Sequence, residues 1–229
     1  MVKNHLNRLV APKSWPIRRK GVKFITRPDA GAHTLKEGIP LTLVIRDLLK
    51  YAKTTKEVKK ILNDGKVLVN NKIRKNHTLN MGIMDILTIP ELKESYVLYK
   101  DIKGKYKLAK IDEKESMNKL CKIQDKVTLK KGKIQLKFFN GYNLLIDKDV
   151  YKTGDTVIIN LKENKIIKHL KFEKGASIYI TEGNKVGMCG KLVEITELNK
   201  GRENVIFEVE GKKYETSKHY AFVKGDLKL

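Results

Sequence analysis

Hydrophobic positions in this chain change their period at defined points, and those changes mark out its segments. Up to residue 40 they are few and isolated: Leu6, Leu9, Val10, Trp15 and Phe24, set among four of the five prolines, Pro12, Pro16, Pro28 and Pro40. So little apolar surface cannot order itself in isolation, which predicts an irregular arm over residues 1–40. Proline's missing N–H suits the first turn of a helix. Immediately after Pro40, Leu41, Val44, Ile45, Leu48, Leu49 and Ala52 recur at helical spacing. Thr54-Thr55-Lys56-Glu57 then reads as a capping box, with the Thr54 hydroxyl on the Glu57 amide and the Glu57 carboxylate reaching back. The second helix it opens buries Val58, Ile61 and Leu62, turns Lys56, Lys59 and Lys60 outward, and stops near Asn63-Asp64-Gly65.

Alternation replaces the helical period from Lys66. Lys66-Val67-Leu68-Val69 and Lys72-Ile73-Arg74 flank Asn70-Asn71, the pattern of a β-hairpin with a tight turn. Residues 84–89 form one further strand. Beyond residue 90 the expected strands are short: 96–100, 106–111, 122–129, 134–139, 142–146, 156–161 and 166–172, with a short helix over 113–120. Turn signals at Lys131-Gly132, Asn140-Gly141 and Glu163-Asn164 separate them, and even spacing of this kind predicts a small antiparallel barrel or sandwich. Residues 173–229 stay β-rich and begin with a glycine cluster. The fold class is therefore α+β. Its expected parts are the arm 1–40, a two-helix-plus-hairpin domain 41–91, a β-barrel-like central domain 92–172 and a C-terminal β domain 173–229.

Charge sharpens this picture. Of 229 residues, 49 are lysine or arginine and 26 aspartate or glutamate, a net charge of +23. The four segments carry nine basic and two acidic, ten and four, twenty and eleven, and ten and nine side chains. The excess thus lies in the first three, and a compact fold tolerates such self-repulsion best when a polyanion neutralises it. Nucleic acid is the partner this implies. Lysine, at 42 against seven arginines, favours charge neutralisation over bidentate base reading, so recognition should be chiefly of RNA shape.

Other classes find little support. No run of 18 apolar residues offers a membrane span, and the N-terminus lacks the apolar core of a secretion signal. Cys121 and Cys189 show no Cys-x-x-Cys spacing, which fits a reducing interior rather than a disulfide framework or a zinc knuckle. His5, His33, His77, His169 and His219 are scattered, Asp147-x-Asp149 reads as a solvated turn beside Lys148 and Lys152, and no phosphate loop, Gly-x-Ser-x-Gly or His-Glu-x-x-His occurs. Catalysis, a metal, a cofactor and a small-molecule substrate are all unexpected.

Two constellations carry a resemblance. Arg46…Lys53-Thr54-x-x-Glu57-Val58-Lys59-x-Ile61-Leu62-x-x-Gly65-x-Val67-x-Val69-Asn70 resembles the small RNA-binding fold named after bacterial small-subunit ribosomal protein four, a platform of two helices and a hairpin. Thr55 stands where that fold usually has arginine and Asn71 where it usually has glycine. Gly175-x-x-Ile178-x-Ile180-x-x-Gly183-x-x-x-Gly187-x-x-Gly190-x-Leu192-x-x-Ile195 is similar to the KOW motif, a strand–loop–strand element of SH3-like β-barrels. Its glycines suit tight turns and close approach to another chain, with Lys185 and Lys191 beside them.

In order along the chain come the arm His5-Leu6-Asn7-Arg8-Leu9-x-Ala11-Pro12-Lys13-x-Trp15, the platform, Gly154-Asp155-Thr156-Val157, the KOW-like element and Thr216-Ser217-x-x-x-Ala221-Phe222-Val223-x-Gly225. This succession resembles the S-four-e family of small-subunit ribosomal proteins. Ending soon after Gly225, without a longer basic tail, it fits an archaeal form best. The resemblance implies a structural role in the cytoplasmic ribosome, with small-subunit rRNA and neighbouring ribosomal proteins as partners. A KOW-containing transcription elongation or RNA-processing factor is the alternative, and an RNA-modifying enzyme docking through the platform is a third reading. The basic arm favours the ribosome.

The residues expected to face RNA follow. In the arm they are Lys3, Arg8, Lys13, Trp15, Arg18, Arg19, Lys20, Lys23 and Arg27, with Trp15 and the arginines able to stack on bases. In the platform they are Arg46, Lys50, Lys53, Lys56, Lys59, Lys60, Lys66, Asn70, Lys72, Arg74 and Lys75, and in the KOW-like element Lys185 and Lys191.

Overall fold

The computed structural model describes residues 5–198 and 202–225. The protein is mostly β, with two α-helices among the described residues. It folds as two compact units, one built on the chain up to Lys100 with Gly104–Met117, the other on Asp101–Lys103 and the chain from Asn118 onward.

In the first unit the arm contributes β1 (Leu6–Asn7), β2 (Phe24–Ile25) and β3 (Gly38–Pro40). Pro40 caps α1 (Leu41–Leu43), which runs on through a wider turn over Val44–Leu48, closed by the Leu49 amide on the Val44 carbonyl at 2.9 Å. Of the expected stripe, Leu41, Val44, Ile45 and Ala52 are buried, and Leu48 and Leu49 are half-buried. The regular helix expected to reach residue 52 stops earlier, because the widened turn adds a residue to the repeat and Lys50 takes a left-handed φ of 60°. α2 (Thr55–Asn63) follows the capping box, and Gly65 ends it at φ 75°.

Then come β4 (Leu68–Val69), β5 (Lys72–Ile73), β6 (Asn80–Gly82), β7 (Ile86–Ile89), β8 (Glu94–Lys100) and β9 (Tyr106–Ile111). Asn70 and Asn71 both have positive φ, 52° and 60°, as a two-residue hairpin turn of matching twist requires. One sheet runs β5-β4-β7-β8-β9, while β3 pairs with β6 and β1 with β2. Strands β8 and β9 thus extend the platform sheet.

The arm is no free extension. Leu6, Ala11, Trp15 and Ile25 are buried, and the Tyr106 amide on β9 donates to the Ser14 carbonyl at 3.0 Å. A Cβ at Gly82 would fall 2.2 Å from the His33 ring, so only glycine admits the arm at that point.

The second unit holds β10 (Asn118–Thr128), β11 (Ile134–Phe138), β12 (Asn143–Ile146), β13 (Thr156–Asn160) and β14 (Lys165–Leu170). They form a sheet of order β12-β11-β10-β13-β14 around Cys121, Ile123, Leu136, Phe138, Val157 and Ile159. β10 pairs with β13 through its first half and with β11 through its second, across a bulge near Ile123. The helix expected over 113–120 shrinks to a single 3₁₀ turn, Glu115–Met117, because β13 recruits the backbone from Asn118 onward.

The remaining strands, β15 (Ser177–Ile180), β16 (Cys189–Leu198), β17 (Arg202–Val209), β18 (Lys212–Ser217) and β19 (Ala221–Val223), form a sheet of order β18-β17-β16-β15-β19. Its core is Phe172, Ile178, Ile180, Leu192, Val205, Phe207, Ala221 and Val223. β15, a turn and β16 make the expected strand–loop–strand. Gly190 faces the Glu208 carbonyl of β17, where an added Cβ would lie 2.5 Å away. The close approach expected toward another chain is thus made to a neighbouring strand of the same sheet.

Candidate nucleic-acid interface

α2 carries the clearest cationic face. The Thr54 hydroxyl accepts from the Glu57 amide at 3.3 Å and donates to the Glu57 carboxylate at 2.9 Å, while that carboxylate accepts from the Lys53 amide at 2.8 Å. These bonds hold the Glu57 carboxyl below its ordinary range. Val58 and Leu62 are fully buried on the inner side. Lys56, Lys59 and Lys60, three and four residues apart, are therefore forced outward and all are exposed. Lys50 and Lys53, in the turn before the helix, are exposed as well. His77 lies near this face, and burial, followed by the Lys59 charge, lowers its pKa. The platform so presents lysine ammoniums on a rigid, capped element, able to sit against successive phosphates.

Other expected contacts divide. Lys13, Arg18, Lys20, Lys23 and Arg27 in the arm, Lys72 and Lys75 in the platform, and Lys191 on β16 are at least partly exposed. Lys3 lies outside the described residues. Arg74 is partly buried, and Lys66 pairs with Glu91 at 3.3 Å near the surface.

Several side chains expected to face RNA are committed inside the protein. Trp15 is 0% exposed, and its indole N–H donates to the Gly38 carbonyl at 2.7 Å. No base can stack on it. Asn70 turns inward: its amide nitrogen donates to Asp85 at 3.0 Å and its oxygen accepts from the Ile86 amide at 3.1 Å. Arg19 spends its guanidinium on the carbonyls of Ala11 (2.6 Å), Pro12 (2.7 Å) and Arg8 (3.3 Å). Arg8 donates to the Arg18 carbonyl at 3.0 Å. Arg46 grips the Asp47 carboxylate with two bonds of 3.0 Å and donates to Thr55 at 3.2 Å. Thr55 thus receives an internal arginine. Lys185 lies 4.5 Å from the Tyr214 ring centroid, within its own domain.

Two of the histidines and several carboxylates are committed to internal bonds as well. His33 bonds to Asp85 (3.2 Å), whose carboxylate also accepts from the Gly82 amide (2.8 Å), tying the arm to the platform. Asp155, within the Gly154-Asp155-Thr156-Val157 run, accepts from His169 (2.7 Å) and from the amides of Phe172 (2.9 Å) and Lys152 (3.1 Å). Asp149 pairs with Lys126 at 2.7 Å. Glu94 accepts from Lys110 and Tyr96, each at 2.8 Å, and from Tyr51; these bonds bring its carboxyl down to about 2. Phe24, which the sequence offers only as an isolated hydrophobe, is an exposed aromatic of the arm. Strand alternation beside buried Ile25 was the available signal, but a two-residue strand is too short to announce itself.

Comparison with known proteins agrees with this architecture. The model of "Ribosomal family S4e" matches residues 92–166, and that of the RS4NT domain matches residues 2–36. The chain is 43% identical to small ribosomal subunit protein eS4 of Methanocaldococcus jannaschii, over 98% of this chain and 95% of that protein. It is 42% identical to the eS4 of Methanosphaera stadtmanae, over 99% and 94%. The crystal structure of 30S ribosomal protein S4e from Thermoplasma acidophilum superposes with a TM-score of 0.71 at 27% identity, covering 82% of this chain and 95% of that one. The resemblance drawn from the arm, the platform and the glycine pattern holds along the whole length: the chain belongs to the S4e family of ribosomal proteins.

Proposed function

We propose that this protein is a structural constituent of the small ribosomal subunit, held on rRNA by its arm and platform and without catalytic activity of its own. The observation that carries this reading is the outward lysine face of α2, on a helix whose cap and buried side leave it no other orientation. Lysine-to-phosphate contacts supply most of the affinity and set the register on RNA, and they read its shape more than its sequence. The finer architecture follows the same line. Residues 41–91 act as the ribosomal-protein-four-like RNA-binding domain, with the arm docked on it and with β8 and β9 of the segment 92–172 added to its sheet; the rest of that segment acts as the central β domain, and 173–229 as a KOW domain of SH3-like type. The last part, with ten basic and nine acidic residues, suits a protein neighbour or solvent. Work in the cytoplasmic ribosome follows from this role.

Gradient sedimentation of a cell extract tests the proposal. The protein should travel with small subunits at about one copy each and stay there at moderate salt. Recovery in a free pool, or with RNA polymerase, would overturn it.

A further inference from the structure

We propose that Phe24 is a stacking platform for an unpaired RNA base, an inference that rests on the rRNA-binding role above and names what part of the RNA the arm takes. With the Trp15 indole buried, Phe24 is the arm's aromatic ring open to solvent, 47% exposed. Its position is built. β2 pairs with β1 in the register Leu6↔Ile25 and Asn7↔Phe24. Leu6 and Ile25 face inward and are buried, so strand alternation turns the Phe24 ring out. The Arg8 amide closes the ribbon on the Lys23 carbonyl at 3.0 Å, and the guanidiniums of Arg8 and Arg19 tie the following loop by its carbonyls. The ring therefore stands on a support that needs no ordering when RNA arrives.

The surroundings select the ligand. The Lys23 ammonium lies 5.4 Å from the Phe24 centroid, and the His5 ring lies 5.3 Å away at 53°. Val22, two residues before it, and Leu9 and Val10, just after the paired strand β1, are exposed as well. Residues 5–28 carry seven basic side chains and no acidic one. One unstacked nucleotide satisfies both features, its planar base against the ring and its phosphate against Lys23. A duplex hides its base faces and satisfies only the charge.

Binding of the full-length protein to a fluorescent single-stranded oligouridylate and to a blunt RNA duplex, by anisotropy over a salt series, decides the matter. Phe24→Ala should weaken single-strand binding on the order of tenfold with an unchanged salt slope. Phe24→Trp should restore it, and duplex binding should not move in either variant. Equal melting temperatures of the variants by circular dichroism establish that the fold is intact. Equal loss on both RNAs, or a Phe24→Trp protein as weak as Phe24→Ala, would overturn the inference. So would wild-type RNA binding by Phe24→Ala combined with its absence from reconstituted small subunits, which would make the patch a protein contact and leave the rRNA-binding role standing. Failure of the wild-type chain to bind either RNA would overturn that role itself.

Discussion

Replacing Trp15 by phenylalanine should destabilise this protein without weakening its grip on RNA. The indole is completely enclosed, and its N–H is the partner of the Gly38 carbonyl at 2.7 Å. Phenylalanine removes that donor and leaves a buried carbonyl unpaired. A stranded group of this kind costs about 1–3 kcal/mol, and the space vacated by the smaller ring adds roughly 1 kcal/mol or more. A total of about 2–4 kcal/mol lowers the melting temperature by roughly 5–15 °C for a chain of this size. Thermal unfolding followed by circular dichroism measures the shift, and anisotropy with labelled RNA at a temperature where both proteins are folded measures binding. Because this is the sole tryptophan, wild-type fluorescence supplies a second check: its emission should be blue-shifted and shielded from acrylamide. Unchanged melting together with weakened RNA binding, or an indole freely quenched by acrylamide, would refute the argument.

Changing Lys56, Lys59 and Lys60 together to glutamine should reduce the slope of log affinity against log salt by about 2, on the basis of roughly 0.7–0.9 per phosphate contact, with melting unchanged; a salt titration reads it directly. Thr54→Ala removes the α2 cap and should cost about 1 kcal/mol in denaturant unfolding, while RNA affinity at low temperature stays as it was. Lys122 gives a pH signature. Burial, with the Lys218 charge second, pushes its ammonium down to about 8 from 10.5, although it still donates to the carbonyls of Ala221 (2.7 Å), His219 (2.8 Å) and Lys218 (3.1 Å). Between pH 8 and 10.5 the unfolded chain binds the extra proton, so stability rises with pH there. Relative to Lys122→Met the wild type should gain up to about 3 kcal/mol across that window. Parallel stability profiles of the two proteins would count against it.

Features written within a few residues of one another are legible in the amino-acid sequence. The Thr54–Glu57 cap, the stop at Gly65, the paired positive φ values at Asn70-Asn71 and the helix start after Pro40 each depend on near neighbours, and they stand where the pattern placed them. The outward lysines of α2 are equally readable, since Val58 and Leu62 leave that face no choice. Local pattern failed where a distant partner intervened. The helix expected over 113–120 yielded to pairing with β13, some forty residues later.

What the sequence determined on its own was the charge, the family resemblance and the local turns and caps, because these are properties of residue type and short spacing. The tertiary structure alone decided which polar and aromatic side chains remain available to RNA. Trp15 is claimed by Gly38, Asn70 by Asp85 and Ile86, and Arg19 by the arm's own carbonyls. An indole or an arginine reads the same in sequence whether its donor meets a nucleotide or a buried carbonyl. Only the packing of one segment on another supplies that carbonyl, and a buried group without a partner is too costly to leave open.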